Sequence, residues 1–266
     1  MTQITTIIPV HKFDDEVKTL LETSVKSFVE TSKNNPSDLM FVGPKEVLDK
    51  VKENQSEELT KLNWIVEISY VENENTWFSA QINTAVKKVK TDYFAILEYD
   101  DEFTPIWFDN VVKYINTGDD IAVYLPLTEV FDGEHKEMGP VSYVNEAVWA
   151  SSFSERLGYF DNECLQDYLI FNTTGGVFKT KDFIEVGGLK ESMKLSFWYE
   201  FLLRAINKKK NVFVIPKVGY FHIVNRNGSL ATDYAQNMSD RESEFWVELA
   251  RKEYLYKTDR KKTYEE

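Results

Sequence analysis

The segment Tyr93 to Phe103, YFAILEYDDEF, sets four carboxylates directly behind an apolar run, three of them Glu98, Asp100 and Asp101. Tyr93 to Leu97 reads as a strand buried on both faces, and alternation along a strand sends residues two apart to the same side. Glu98 and Asp100 then project together, while Asp101 turns toward the following loop. Open α/β sheets take their ligands at the carboxyl ends of their strands, so this position suits a binding site. Carboxylates crowded there repel one another unless a cation neutralises them. A divalent metal bridging a diphosphate would do so, because Mg²⁺ and Mn²⁺ favour hard oxygen ligands and phosphate. The same acids could equally end a strand in water and cap the next helix.

Such a site needs a sheet to carry it, and the flanking sequence alternates strand and helix. Ile4 to Val10 is β-branched and almost continuously apolar, and FDDEVKTLLETSVKSFVETS follows with Val17, Leu20, Leu21, Val25, Phe28 and Val29 at helical spacing. Asp14, Asp15 and Glu16 lie at the positive end of that helix. Further strands are expected at Leu39 to Val42, Trp64 to Ile68, Ile121 to Leu125 and Val212 to Ile215, with helices through Val47–Val51, Trp77–Val89, Pro105–Ile115 and WYEFLLRAINKKK. From Asp132 to Gly175 the pattern is irregular, as in long functional loops. The alternation predicts an α/β fold with a mostly parallel central sheet flanked by helices. A charged C-terminal helix carries Phe245, Trp246, Leu249 and Ala250 as one apolar stripe, expected to pack back on the domain or to form a homodimer contact.

Composition narrows the partners. The 266 residues carry 44 acids against 31 Lys and Arg, a net charge of −13, which works against broad binding of phosphate backbones and makes nucleic acid a poor partner. One cysteine, Cys164, permits no internal disulfide, and His11, His135 and His222 lie too far apart in sequence for a zinc motif. No stretch approaches the length of a spanning helix, and the N-terminus lacks a basic segment before its apolar run, so the expectation is a cytoplasmic protein without a membrane partner.

Taken in order over residues 4–230, ITTIIPVHKFDD, QINTAVKKVKTDYFAILEYDDE, IEVGGLKES, YEFLLRA and HIVNRNGSL resemble the GT-A glycosyltransferases, in particular the family 2-like group. The wording EYDDE, VGGLK and FWYEFLLR also resembles glycosyltransferase-like proteins of phages and large DNA viruses. The resemblance implies a GT-A domain over 1–230 with a helical extension over 231–266, transferring a sugar from a UDP- or GDP-sugar donor to an acceptor hydroxyl with Mn²⁺ or Mg²⁺. It places Pro9, Val10 and His11 at the edge of the nucleotide pocket, Glu98 and Asp100 at the DxD position, and Asp101 toward the sugar or acceptor. His222 would match a further metal or diphosphate contact, Asn83 would hold the acidic turn, and Arg204 would support diphosphate or a site carboxylate.

Two departures accompany it. The Asp that the family carries after the second strand is absent from FVGPKE. The family's catalytic acids before the helix Arg are replaced by Phe197 and Trp198, which cannot accept the proton an inverting transfer releases. Glu200, one helical turn from both Phe197 and Arg204, is the nearest acid and either acts as the base or pairs with the Arg. Asp161, Glu163 and Asp167 are further candidates. Trp77, Trp107, Trp149, Phe197, Trp198 and Tyr199 could stack on a sugar or fill the core. A retaining route, or a binding-only pseudoenzyme, remains the alternative. A sugar nucleotidyltransferase would need a Gly-rich basic loop after the first strand, where PVHKFDDEV is acidic and lacks glycine.

Overall fold

The computed structural model describes residues 3–54, 59–133, 136–150, 153, 156–162, 164–167, 169, 171–226 and 238–262. Its strands are β1 (Ile4–Pro9), β2 (Ser37–Gly43), β3 (Ile65–Glu72), β4 (Tyr93–Ile96), β5 (Glu102–Phe103), β6 (Ile121–Asp132), β7 (Ser142–Val144), β8 (Tyr159–Phe160), β9 (Val177–Lys179) and β10 (Asn211–Val224). The main helices are α1 (Asp15–Ser32), α2 (Lys45–Asn54), α3 (Phe78–Val86), α4 (Trp107–Ile115), α5 (Cys164–Asp167), α6 (Thr180–Val186), α7 (Phe197–Asn207) and α8 (Asp240–Lys262). The α/β class expected from the sequence is observed.

One sheet runs in the order β3-β2-β1-β4-β9-β6-β10-β5, with β7 on β6 and β8 on β10. The expected parallel arrangement holds for β3-β2-β1-β4 and for β6-β10, whereas β9 enters between β4 and β6 antiparallel to both, so the whole sheet is mixed. Period-two alternation sorts the apolar side chains into two cores, one on each face. Ile7, Met40, Val42, Phe94 and Ile96 pack with α3, α6 and α7, while Ile4, Ile8, Leu39, Phe41, Ala95 and Leu97 pack with α1, α2 and α4. Strands buried on both faces must read as continuous apolar runs, which is how β1, β2 and β4 read.

Two strands outrun their sequence signals. Strands are expected over Val212 to Ile215 and Ile121 to Leu125; each is followed by a proline, Pro216 or Pro126, which lacks the ladder N–H. Instead β10 shifts register between Val214 and Val218, carries Pro216 past the irregularity and pairs again with β6 up to Val224. Pairing there is parallel, with His222 opposite Val130, and β5 lies on the other side with Tyr220 opposite Phe103. This extension brings the second half of β10 to the end of β4.

The irregular stretch from 132 to 175 contains β7, β8, α5 and single 3-10 turns. Buried Asn145, held at φ 76°, donates to the carbonyls of Pro126 and Asn172 and accepts from the Asn172 amide, which pins Phe171–Thr174 against β6. At the C-terminus α8 packs back on α7: Ala250 is buried, Trp246 and Tyr254 join the core, and Phe245 and Leu249 stay exposed. The boundary expected at 230/231 lies outside the described residues. Among those described, no helix is long and apolar enough to cross a membrane.

Candidate functional site

The acidic segment is a turn rather than a continued strand. β4 ends at Ile96, the Leu97 amide bonds the Ile7 carbonyl, and the Asp101 amide then closes onto the Glu98 carbonyl at 3.1 Å. Small hydroxyls on one face of α1 satisfy the backbone around it: Ser24 Oγ donates to the Glu98 carbonyl at 2.9 Å, and Ser27 Oγ and Thr31 Oγ1 accept from the amides of Phe103 and Phe108. Serine and threonine are required there because larger side chains would hold helix and turn apart. On the other side the Tyr220 hydroxyl accepts from the Glu98 amide at 3.2 Å.

A turn sends the three carboxylates in different directions, contrary to the shared projection expected for Glu98 and Asp100. Asp101, expected near sugar or acceptor, is 1% exposed and bonds inward, its Oδ1 accepting from the Ile223 amide at 2.8 Å and its Oδ2 lying 2.9 Å from His222 Nδ1. It therefore fixes β10 to the acidic turn. Asp100 meets Arg226, whose Nη2 and Nε lie 2.6 and 3.2 Å from its Oδ2, and Arg226 also reaches Glu16 at 3.1 Å. Glu98 has the Thr174 hydroxyl as a partner. Burial, reinforced by Asp101 and Asp100, pushes its carboxyl up to about 8. For His222 burial opposes the charged ring, yet the charge and hydrogen bond of Asp101 prevail and raise it to about 9. Asp101 thus engages Nδ1 of His222, the residue expected as a further metal or diphosphate contact.

Glu98 and His222 open onto a cavity of about 310 Å³ lined further by Trp77, Phe78, Phe171, Thr173, Thr174, Met193, Phe197 and Trp198. Its floor depends on Gly175 at φ +75°, where a Cβ would fall 2.4 Å from the Tyr220 ring. Phe197 stacks on Phe78 and Trp198 on Phe178, so the first turn of α7 gives the cavity an aromatic wall at the positions where the resembled family carries acids.

The remaining expected residues divide sharply. Glu200 does not line the cavity: it is 1% exposed and its oxygens are taken by Arg204, Lys190 and the Tyr254 hydroxyl. Arg204 in turn donates to the carbonyls of Val186 and Gly188, away from the acidic turn. Asn83 holds a different turn from the one expected, exchanging hydrogen bonds with the backbone of Leu189. Pro9 and Val10 are buried at the end of β1, and His11 lies 5.5 Å from the ring of Tyr99 in the acidic turn. Gly43 allows this edge to close, since a Cβ there would sit 2.1 Å from the Val10 carbonyl oxygen. Trp107, Trp149 and Tyr199 belong to the core; Trp77, Phe197 and Trp198 face the cavity. Asp161 caps α5 through the Cys164 amide, Glu163 lies outside the described residues, and Asp167 is known here only by its place in α5. Arg226 and Tyr220 were missed, and only their place in and beside HIVNRNGSL marked them.

A divalent cation was tested against this donor set. Among the described residues no three His, Cys, Asp or Glu side chains stand ready around one point. The chemistry nonetheless fits, because Asp100 and Glu98 offer hard oxygens, and a guanidinium already lies on Asp100 as a stand-in cation. Mg²⁺-type ions use one or two carboxylates plus substrate phosphates and water rather than a complete protein cage.

The mixed sheet with its acidic turn at the end of β4 has the fold of the GT-A glycosyltransferases, as likeness to solved structures shows. Within that class, residues 47–178 match the family model described as Glycosyl transferase family 2. The chain is similar to S. aureus TarS 1-349 in complex with UDP-GlcNAc, at 14% identity and TM-score 0.61 over 87% of this chain and 61% of that one. It is also similar to the mannosyltransferase PcManGT from Pyrobaculum calidifontis in complex with GDP-Man and Mn²⁺, at 13% identity and TM-score 0.61 over 88% and 60%. GalNAc-T7 with UDP, GalNAc and Mn²⁺ matches at 14% identity and TM-score 0.59 over 85% of this chain and 44% of that one. The chain thus spans less than two thirds of these three proteins. No curated protein sequence matches it. The family match and the fold support a sugar-transfer function.

Proposed function

We propose that this chain transfers a sugar from a nucleoside diphosphate donor, a UDP- or GDP-sugar, to an acceptor hydroxyl. The observation that carries the reading is Glu98, first residue of the acidic turn, opening with His222 onto a 310 Å³ aromatic cavity. The nucleotide lies at the β1 and β2 ends near His11 and Gly43, its diphosphate at Asp100, and the sugar against Phe197 and Trp198. Asp100 and Glu98 would hold Mn²⁺ or Mg²⁺, which when bound supplies positive charge to the departing diphosphate. Asp101 orients His222, and the aromatic wall excludes water from the anomeric carbon. Inversion requires a proton acceptor facing the cavity; the ionisable lining residues, Glu98 and His222, keep their protons up to about 8 and about 9, and Glu200, expected as the base, does not line the cavity, so the base role is assigned to none of the three.

A binding module without turnover is the second reading, favoured by the absence of any α7 carboxylate from the cavity lining. A cytoplasmic location accords with a chain whose one cysteine, Cys164, permits no internal disulfide. A homodimer would use exposed Phe245 and Leu249, and a monomeric mass in solution would remove it.

Calorimetric titration of UDP and GDP with and without Mn²⁺, followed by hydrolysis assays on a panel of nucleotide sugars, tests the reading. Binding of one nucleotide with release of one sugar is the expected result. Binding without release of any sugar would favour the module, and no binding of either nucleotide would overturn the donor assignment.

A further inference from the structure

Arg226 was invisible as a site residue in the sequence, yet it occupies the position where a cation at the acidic turn would act. Two of its nitrogens converge on a single oxygen, Asp100 Oδ2, at 2.6 and 3.2 Å. Charge-assisted contacts to that oxygen compete with any other ligand for it. The pair is largely buried, with the two side chains 9% and 13% exposed. Its other tethers are weaker: Nη2 donates to the Tyr99 hydroxyl at a long 3.4 Å, the guanidinium lies 5.5 Å from that ring, and the remaining ion pair goes to Glu16, which is 53% exposed at the first turn of α1, where such a pair is screened and contributes little. The guanidinium is therefore held chiefly by the carboxylate that a metal would need.

The charge balance around it is unusual. Glu98, Asp100 and Asp101 face His222 and Arg226, and Glu98 has no ion-pair partner among the described residues. Adding a divalent cation alone would force a guanidinium and a metal to share Asp100. A diphosphate diester arriving with the metal cancels the metal's charge and offers Arg226 a new planar partner, for which arginine is better suited than lysine.

We propose that Arg226 is an exchangeable counter-cation: it closes Asp100 in the empty site, yields that carboxylate to a divalent cation, and moves its guanidinium onto the diphosphate of the donor. The inference rests on the donor reading for its last step and on the Arg226–Asp100 contact alone for its first. Metal and nucleotide consequently bind with positive coupling, because each removes the cost the other meets.

The test measures Mn²⁺ binding by electron paramagnetic resonance of the free ion, with and without UDP or GDP, on the full chain. Wild type should bind Mn²⁺ alone weakly and about tenfold tighter with nucleotide, a typical coupling. Arg226→Met should bind Mn²⁺ alone about tenfold tighter than wild type and the nucleotide with Mn²⁺ about tenfold weaker, shifts of opposite sign that general damage to the fold does not produce. Arg226→Lys, which keeps the charge and guards against misfolding, should lie between. Adding Asp100→Asn to Arg226→Met should erase the gain in Mn²⁺ affinity. Unchanged or weaker Mn²⁺ binding by both folded Arg226 variants would overturn the exchange. So would wild-type nucleotide affinity that is unaffected by EDTA but lost in Arg226→Met, since the guanidinium would then hold the diphosphate without any metal. Tighter Mn²⁺ binding by Arg226→Met in a protein that binds neither nucleotide would uphold the closure of Asp100 and overturn the donor step instead.

Discussion

Glu200 and Arg204 form a buried fork one helical turn apart, Nε to Oε1 at 2.9 Å and Nη2 to Oε2 at 2.7 Å, with Arg204 continuing to the carbonyls of Val186 and Gly188. The pair ties α7 to the end of α6, and Tyr254 adds α8 through the same carboxylate. Removing one member of a buried pair leaves an uncompensated charge, at a cost of about 3–5 kcal/mol. Glu200→Ala should therefore lower chemical-denaturation stability by about that amount. Nucleotide affinity per folded molecule should stay unchanged; a folded, stable Glu200→Ala protein that has lost only turnover would restore Glu200 as the base.

The metal-free protein should lose stability as pH rises from about 5 to about 9. Glu98 in the fold holds its proton up to about 8 against a reference of 4.5, and His222 up to about 9 against 6.5. The folded state thus binds more protons than the unfolded chain, so Glu98 contributes stability that is lost between those first two values and His222 between the second two. Melting temperatures measured across this range should fall, and Glu98→Gln should flatten the lower part of the curve. A melting temperature that climbs with pH would contradict both shifts.

Gly43 faces the Val10 carbonyl so closely that a methyl group has no room, because the obstacle is backbone. Gly43→Ala should destabilise the chain by about 2–3 kcal/mol, at the upper end for overpacking. The strain falls on the β1 and β2 ends, so nucleotide affinity should drop with stability. A melting temperature equal to wild type would show that this edge can open freely.

Trp198 stacks on Phe178 at 5.4 Å and borders the cavity. If it carries the sugar, Trp198→Ala should weaken a nucleotide sugar more than the parent nucleoside diphosphate, by about three- to tenfold for a lost ring contact. The ratio of the two affinities, taken by calorimetry, isolates the sugar. Equal loss for both ligands would make Trp198 a core residue only.

The strands β1, β2 and β4 were legible because burial on both faces demands unbroken apolar runs, and α1 because its apolar residues recur at helical spacing above an Asp14 cap, whose carboxylate accepts from the Val17 amide at 2.9 Å. The acidic segment stood out because its carboxylates follow an apolar run at the carboxyl end of a strand, where open α/β sheets take their ligands. Its inner geometry was not. Alternation predicted that Glu98 and Asp100 share a side, but the chain leaves the strand at Ile96, and a tight turn has no period. Asn83 and Arg204 were found as polar residues of consequence and given the wrong partners, since spacing along a helix reports which face a side chain takes and not what packs against it.

The sequence by itself determined the α/β alternation, the two-faced sheet and the place along the chain where carboxylates gather, all of which are set by interactions within a few residues. Only the tertiary structure decided how those carboxylates are used. Asp101 is taken by His222 and the Ile223 amide, Asp100 by Arg226, and Glu98 is left facing an aromatic cavity. These partners lie more than a hundred residues downstream, on or just beyond a strand that continues past Pro216 through a register shift, and pairing over that distance is settled by sheet packing, which no local pattern encodes.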